Sequence, residues 1–141
     1  MERGEISFAR VLALGTGYFG LVFAAGFALG ALRVGLLQPH LGPDASRLLE
    51  LPFMVAISFG AALLIMRRAG AAGRMDALTI GFLAFILLLL AEMLIGSWLF
   101  QLPYSALLTD AMTPIGFLNL LAQSLLIVFP VLVAGKERIR A

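Results

Sequence analysis

Apolar residues run almost without interruption through four stretches, Val11–Leu32, Leu48–Met66, Ala77–Leu99 and Pro114–Ala134, and polar residues collect between them. Each stretch approaches the roughly 20 residues that cross the hydrocarbon core of a bilayer. The runs are continuous rather than alternating, so they predict helices; a spanning strand of a closed barrel would carry a polar residue at every second position. The expectation is an all-α membrane protein, one domain over residues 1–141, folded as a four-helix up-down-up-down bundle whose short connections join antiparallel neighbours.

Local chemistry marks the helix ends. Asp76 is placed to cap the third span, and Thr113-Pro114 supplies a cap residue followed by proline at the first helical position, where its missing N–H costs nothing. Gln38-Pro39 and Gly42-Pro43-Asp44 predict a turn between spans one and two. Leu51–Met66 alone rises only about 24 Å, so the second span must extend back through Glu50 or the bilayer must thin. A helix that begins near Ser46 would bury Pro52 inside it, leave the Leu48 carbonyl without its usual donor and kink there. A helix that begins at Pro52 would instead leave Glu50 at the interface, near the positive helix terminus. Trp98, Pro103 and Tyr104 suit an aromatic anchor at the headgroup level.

Composition agrees with this layout: 62% of residues are apolar and 13% charged, and the mean hydropathy is +1.05. No soluble domain fits beside four spans. Arg3, Arg10, Arg67, Arg68, Arg74, Lys136, Arg138 and Arg140 fall on one side of the predicted spans, and only Arg33 and Arg47 on the other. Positive charge stays cytoplasmic, so both termini are expected in the cytoplasm and the protein in a bacterial inner (plasma) membrane. The basic residues form no stripe of the kind nucleic acid requires; the partner they indicate is the lipid bilayer itself, through anionic headgroups. Ala24-Ala25 and Ala28 imitate a signal-peptide cleavage site, but an apolar run of about 20 residues exceeds the 7–15 of a signal core, which favours a retained helix.

The chain has no cysteine and one histidine, His40. Thiol chemistry and iron–sulfur ligation are excluded, and a catalytic zinc or a bis-histidine haem lacks ligands. A hydrolase triad would need His40 with Ser46 or Ser105, and no nucleophile-elbow glycines surround either. No cofactor is expected. The four-span layout is similar to that of the small multidrug exporters and of the membrane-associated eicosanoid and glutathione enzymes. The likeness stops at topology, because the chain has no glutamate in the middle of span one and no arginine–asparagine motif on span two.

Two groups of residues carry the candidate chemistry. Gly26 and Gly30 form a GxxxG pair, which predicts close helix packing either within the bundle or between copies or partner membrane proteins, the first being favoured. Arg33, three residues beyond Gly30, shares that face. Glu92 is the one acid well inside a span, and Gly96 one turn beyond it leaves space for an incoming side chain. A lone carboxylate in lipid needs a cation or a proton, so Arg33, Glu50 and Glu92 are expected to cluster, with Asn119 and Gln123 of span four adding amide hydrogen bonds.

That cluster reads either as a buried, register-fixing ion pair or as a binding or proton-linked site. Glu92 is too shallow for a carrier that needs an acid near the midplane, and the residues beneath it, among them Phe82, Phe85 and Leu87–Leu90, are dry. The expectation placed first is a non-enzymatic component that packs with itself or another membrane protein. A small-molecule or ion transporter comes second, and a lipid-modifying enzyme at the outer leaflet third.

Overall fold

The computed structural model describes residues 6–70 and 72–140; Arg3, part of the orientation argument, lies outside them. The described residues contain no strand. Helix α1 covers Phe8–Leu32 and runs through a π-helical turn, Arg33–Leu37, into α2, Gln38–Ala69; α3 spans Arg74–Trp98, α4 Tyr104–Ala111 and α5 Pro114–Arg140. Three helical runs, Phe8–Ala69, Arg74–Trp98 and Pro114–Lys136, are long and apolar enough to cross a membrane, and the first contains two of the four predicted spans. Only 22% of each apolar window is buried inside the bundle. Leu12, Phe53, Phe82, Leu94, Phe117 and Leu132 all point outward. An apolar exterior on long helices is the mark of a membrane protein.

The helix ends differ from the sequence expectation in instructive ways. Ser7 caps α1, its Oγ accepting from the Arg10 N–H at 3.3 Å, so the helix starts ahead of Val11. Gln38-Pro39 does not break the chain: the prolyl residue falls in the first turn of α2, where no N–H is needed. The sharp turn is at Gly42 alone, whose φ of 80° and ψ of 167° suit glycine. Ser46, fully buried, donates to the carbonyls of Gly42 and Pro43 at 2.8 and 2.9 Å and staples this turn.

The transmembrane part of α2 therefore starts at Pro43, and Glu50 lies about two turns inside it. Pro52 thus lies inside α2, as in the reading that starts the helix ahead of Glu50, and Gly42 is the one residue of α2 with non-helical backbone angles. Asp76 caps α3 from within the first turn: Gly73 is the N-cap, and its N–H donates to the Asp76 carboxylate at 2.9 Å. Thr113 caps α5 as expected, accepting from Gly116 N at 3.1 Å with Pro114 at the first helical position. The loop expected between Gln101 and Thr113 contains the short α4.

Around the bundle, α1 packs on α2 and α3, and α5 packs on α2 and α3, so α1 faces α5 and α2 faces α3 across the diagonal. The successive helices α2 and α3 are thus not side-by-side neighbours, unlike the simple serial order. Gly15 of α1 receives Leu83 of α3, close to the start of both helices, which makes these two parallel. Phe59 of α2 meets Phe129 of α5 edge-to-face at 5.3 Å. Arg10 donates to the Arg68 carbonyl at 2.7 Å and closes the C-terminal end of α2 against the start of α1.

Among the long helices, α3 approaches the backbone of α5 closely. A Cβ at Gly81 would stand 2.5 Å from the Leu126 carbonyl oxygen. Pro130 removes the N–H that this carbonyl would otherwise accept, so the exposed oxygen is turned toward a residue with no side chain. The half of the bundle nearest the chain termini is filled: Tyr18, Ala62, Met66, Ile80, Ala84 and Leu126 are almost wholly buried.

Candidate functional site

Toward the α4 end the four long helices separate, and helical spacing puts a mixed stripe of each on one space. From α1 come Phe23, Gly26, Phe27 and Gly30, and from the π-turn that follows it Arg33; from α2, Arg47, Glu50, Met54 and Ser58. From α3 come Leu88, Glu92 and Gly96; from α5, Asn119, Gln123 and Leu126. Steps of three and four residues keep each set on one helix face. They line a half-open cavity of about 690 Å³ with walls mainly apolar. Its floor includes Val22, Ser58, Leu88 and Leu126. Just below, the Tyr18 hydroxyl donates to the Ser58 carbonyl at 3.2 Å, satisfying the one phenol of the core.

The polar residues do not form the single cluster expected. Arg33 Nε donates to Glu50 Oε2 at 2.6 Å, and both side chains are about four-fifths removed from solvent. Glu92 instead accepts from the Gln123 amide of α5. The physical reason lies in α2: its early start carries Glu50 deep into the helix and alongside the π-turn that holds Arg33. Among the described residues Glu92 has no cationic partner within ion-pair distance. Its side chain is nevertheless accessible, because it faces the cavity.

Of the glycine pair, only Gly26 packs on another helix. A Cβ at Gly26 would meet Met54 Cε of α2 at 3.2 Å, and one at Gly30 would meet nothing within 4 Å. Both line the cavity: Gly26 packs against the Met54 side chain of α2, within the bundle as favoured, and Gly30 leaves open space. The space expected beside Gly96 is filled by Leu107 of α4, whose Cδ2 would lie 2.9 Å from an added Cβ.

One pair escaped the sequence reading. Arg47 Nη1 donates to Asp110 at 2.9 and 3.2 Å, joining α2 to the end of α4 at the cavity's rim. These residues are 63 positions apart, and no local pattern announces them. His40 and Ser105 are exposed and outside the cavity lining. The described residues contain no group of side chains able to hold a metal ion.

The fold and site define a helical membrane protein with a mainly apolar cavity, carrying a few polar side chains, at one end of the bundle and a filled core at the other. Comparison with protein-family models, curated proteins and solved structures finds no match for the chain.

Proposed function

We propose that the protein is a single-domain, non-enzymatic component of the bacterial inner membrane that holds a small amphipathic molecule in this cavity. Arg33, Glu50, Glu92, Asn119 and Gln123 form its polar wall. The observation that carries this reading is that polar side chains from all four long helices or their flanking turn open onto one space of about 690 Å³ instead of knitting into a closed network. Cavities of this size, mostly apolar with a few convergent polar groups, suit small molecules. The filled core beneath the floor supports binding over conduction through a single copy. The excess of Lys and Arg at the terminal end supports cytoplasmic termini, which turns the cavity to the outer leaflet.

Association with itself or another membrane protein loses its main support, since Gly26 and Gly30 face the cavity. The test is photolabelling in nanodiscs with a neutral diazirine-bearing long-chain alcohol. Saturable labelling of cavity peptides is expected in the wild type. Gly30→Leu, which adds a side chain into open space, should suppress it while labelling of the lipid-facing helix surfaces persists. Equal labelling of both proteins would overturn the reading.

A further inference from the structure

The charges that line the cavity do not balance. Two arginines, Arg33 and Arg47, face three carboxylates, Glu50, Glu92 and Asp110. Each arginine is already committed: Arg33 to Glu50 at 2.6 Å and Arg47 to Asp110 at 2.9 Å. Glu92 is left over. Its sole side-chain partner among the described residues is the neutral amide of Gln123, which donates to Oε1 and leaves Oε2 without a protein donor. A carboxylate lodged between apolar helices is costly, and a positive group brought beside it offsets that cost more strongly than it would in water.

The rest of the wall is suited to the body of such a cation. Phe23 and Phe27 stand on one face of α1, their ring centroids 6.2 Å apart, and both line the cavity. Aromatic faces attract cations, and the Met54 thioether is a soft, adaptable neighbour that packs beside Gly26. Bare backbone at Gly30 leaves room between these groups.

Resting on the cavity reading above, we infer that the site selects a lipophilic cation, an amine or onium whose charge meets Glu92 and whose apolar body lies against Phe23, Phe27 and Met54. Selection follows from pairing: an anion would have to share an arginine whose charge Glu50 or Asp110 already neutralises, while a cation meets Glu92, which has no counter-charge among the described residues.

The experiment uses the same cavity photolabelling and displaces it with two ions of one shape and opposite charge, tetraphenylphosphonium and tetraphenylborate. Comparing each ion across variants cancels its own partitioning into lipid. Glu92→Gln keeps the side chain's shape and hydrogen-bonding capacity. It is expected to raise the half-displacing phosphonium concentration by about tenfold or more, the scale of one desolvated charge pair, and to leave that of the borate unchanged or lower. Asn119→Asp adds a carboxylate to the same wall and is expected to lower the phosphonium value, which keeps the test decisive if Glu92→Gln folds poorly. Saturable labelling with no charge-dependent change in either variant overturns the cation inference alone. Absence of saturable cavity labelling overturns the cavity reading and this inference with it.

Discussion

Arg33 Nε and Glu50 Oε2 lie 2.6 Å apart, and this one contact ties the π-turn that ends α1 to α2 about two turns beyond Pro43. Both groups are largely removed from solvent, so each depends on the other for its charge to be tolerated. Arg33→Gln or Glu50→Gln alone should lower stability by roughly 1–3 kcal/mol, because each strands a charge in a poorly solvated place. The double variant should recover much of that loss. Thermal unfolding of the four proteins in detergent gives the coupling; purely additive losses would contradict a mutually dependent pair.

The second ion pair should behave differently. Arg47 and Asp110 are 37% and 49% exposed, and water and salt screen what they gain from each other. Asp110→Asn is expected to change stability by less than about 1 kcal/mol. A loss as large as that of Glu50→Gln, measured in the same melts, would contradict this.

Gly81 is a position where two long helices leave no room for a side chain. An added Cβ would press on the backbone of Leu126 and Ile127 at 2.5 and 2.8 Å, and backbone cannot rotate away. Gly81→Ala should therefore force α3 and α5 apart and destabilise by roughly 1–3 kcal/mol. Gly30→Ala, with no neighbour within 4 Å, should be close to neutral. Equal melting temperatures for the two variants would refute the close α3–α5 crossing.

Gln101 holds a φ of 52° at the link from α3 to α4, a conformation that glycine adopts without the steric cost borne by other residues. Gln101→Gly is expected to be neutral or to stabilise by up to about 1 kcal/mol, the relief of that strain being partly offset by a freer unfolded chain. A clear loss of stability would show that the Gln101 side chain supports the link.

The orientation proposed here is open to a direct test because the chain has no native cysteine. Ser105→Cys in α4 should react with a membrane-impermeant maleimide added to intact cells. Met75→Cys, exposed at the start of α3, should react only after permeabilisation. The reverse pattern would place the termini outside.

Much of the architecture was legible residue by residue. Four apolar runs announced four long helices, because lipid leaves the backbone no other way to satisfy its hydrogen bonds. Thr113-Pro114 marked the start of α5, and the need for length offered a helix through Glu50 as one of two readings, which is the one the structure adopts. The Gln38-Pro39 turn misled, since a proline in a first helical turn is compatible with continuing the helix, and local pattern does not say on which side of the break it falls. The short α4 was hidden among residues that read equally well as loop.

The site was legible only as an inventory. Charged and amide residues rare in spans drew attention to Arg33, Glu50, Glu92, Asn119 and Gln123, and the structure places all five on one cavity. Which of them meet was a different matter. Arg33 with Glu50, Glu92 with Gln123, and Arg47 with Asp110 are contacts across 17, 31 and 63 residues of sequence. By itself the sequence determined helices, their approximate ends and a charge asymmetry, all of which follow from local hydrogen bonding and solvation. Only the tertiary structure decided that α2 and α3 lie on a diagonal, that Gly30 opens onto a cavity while Gly26 packs on Met54, and that Glu92 has no cationic partner among the described residues. Those outcomes depend on how helices rotate and cross, and that is settled by packing among side chains distant in the chain.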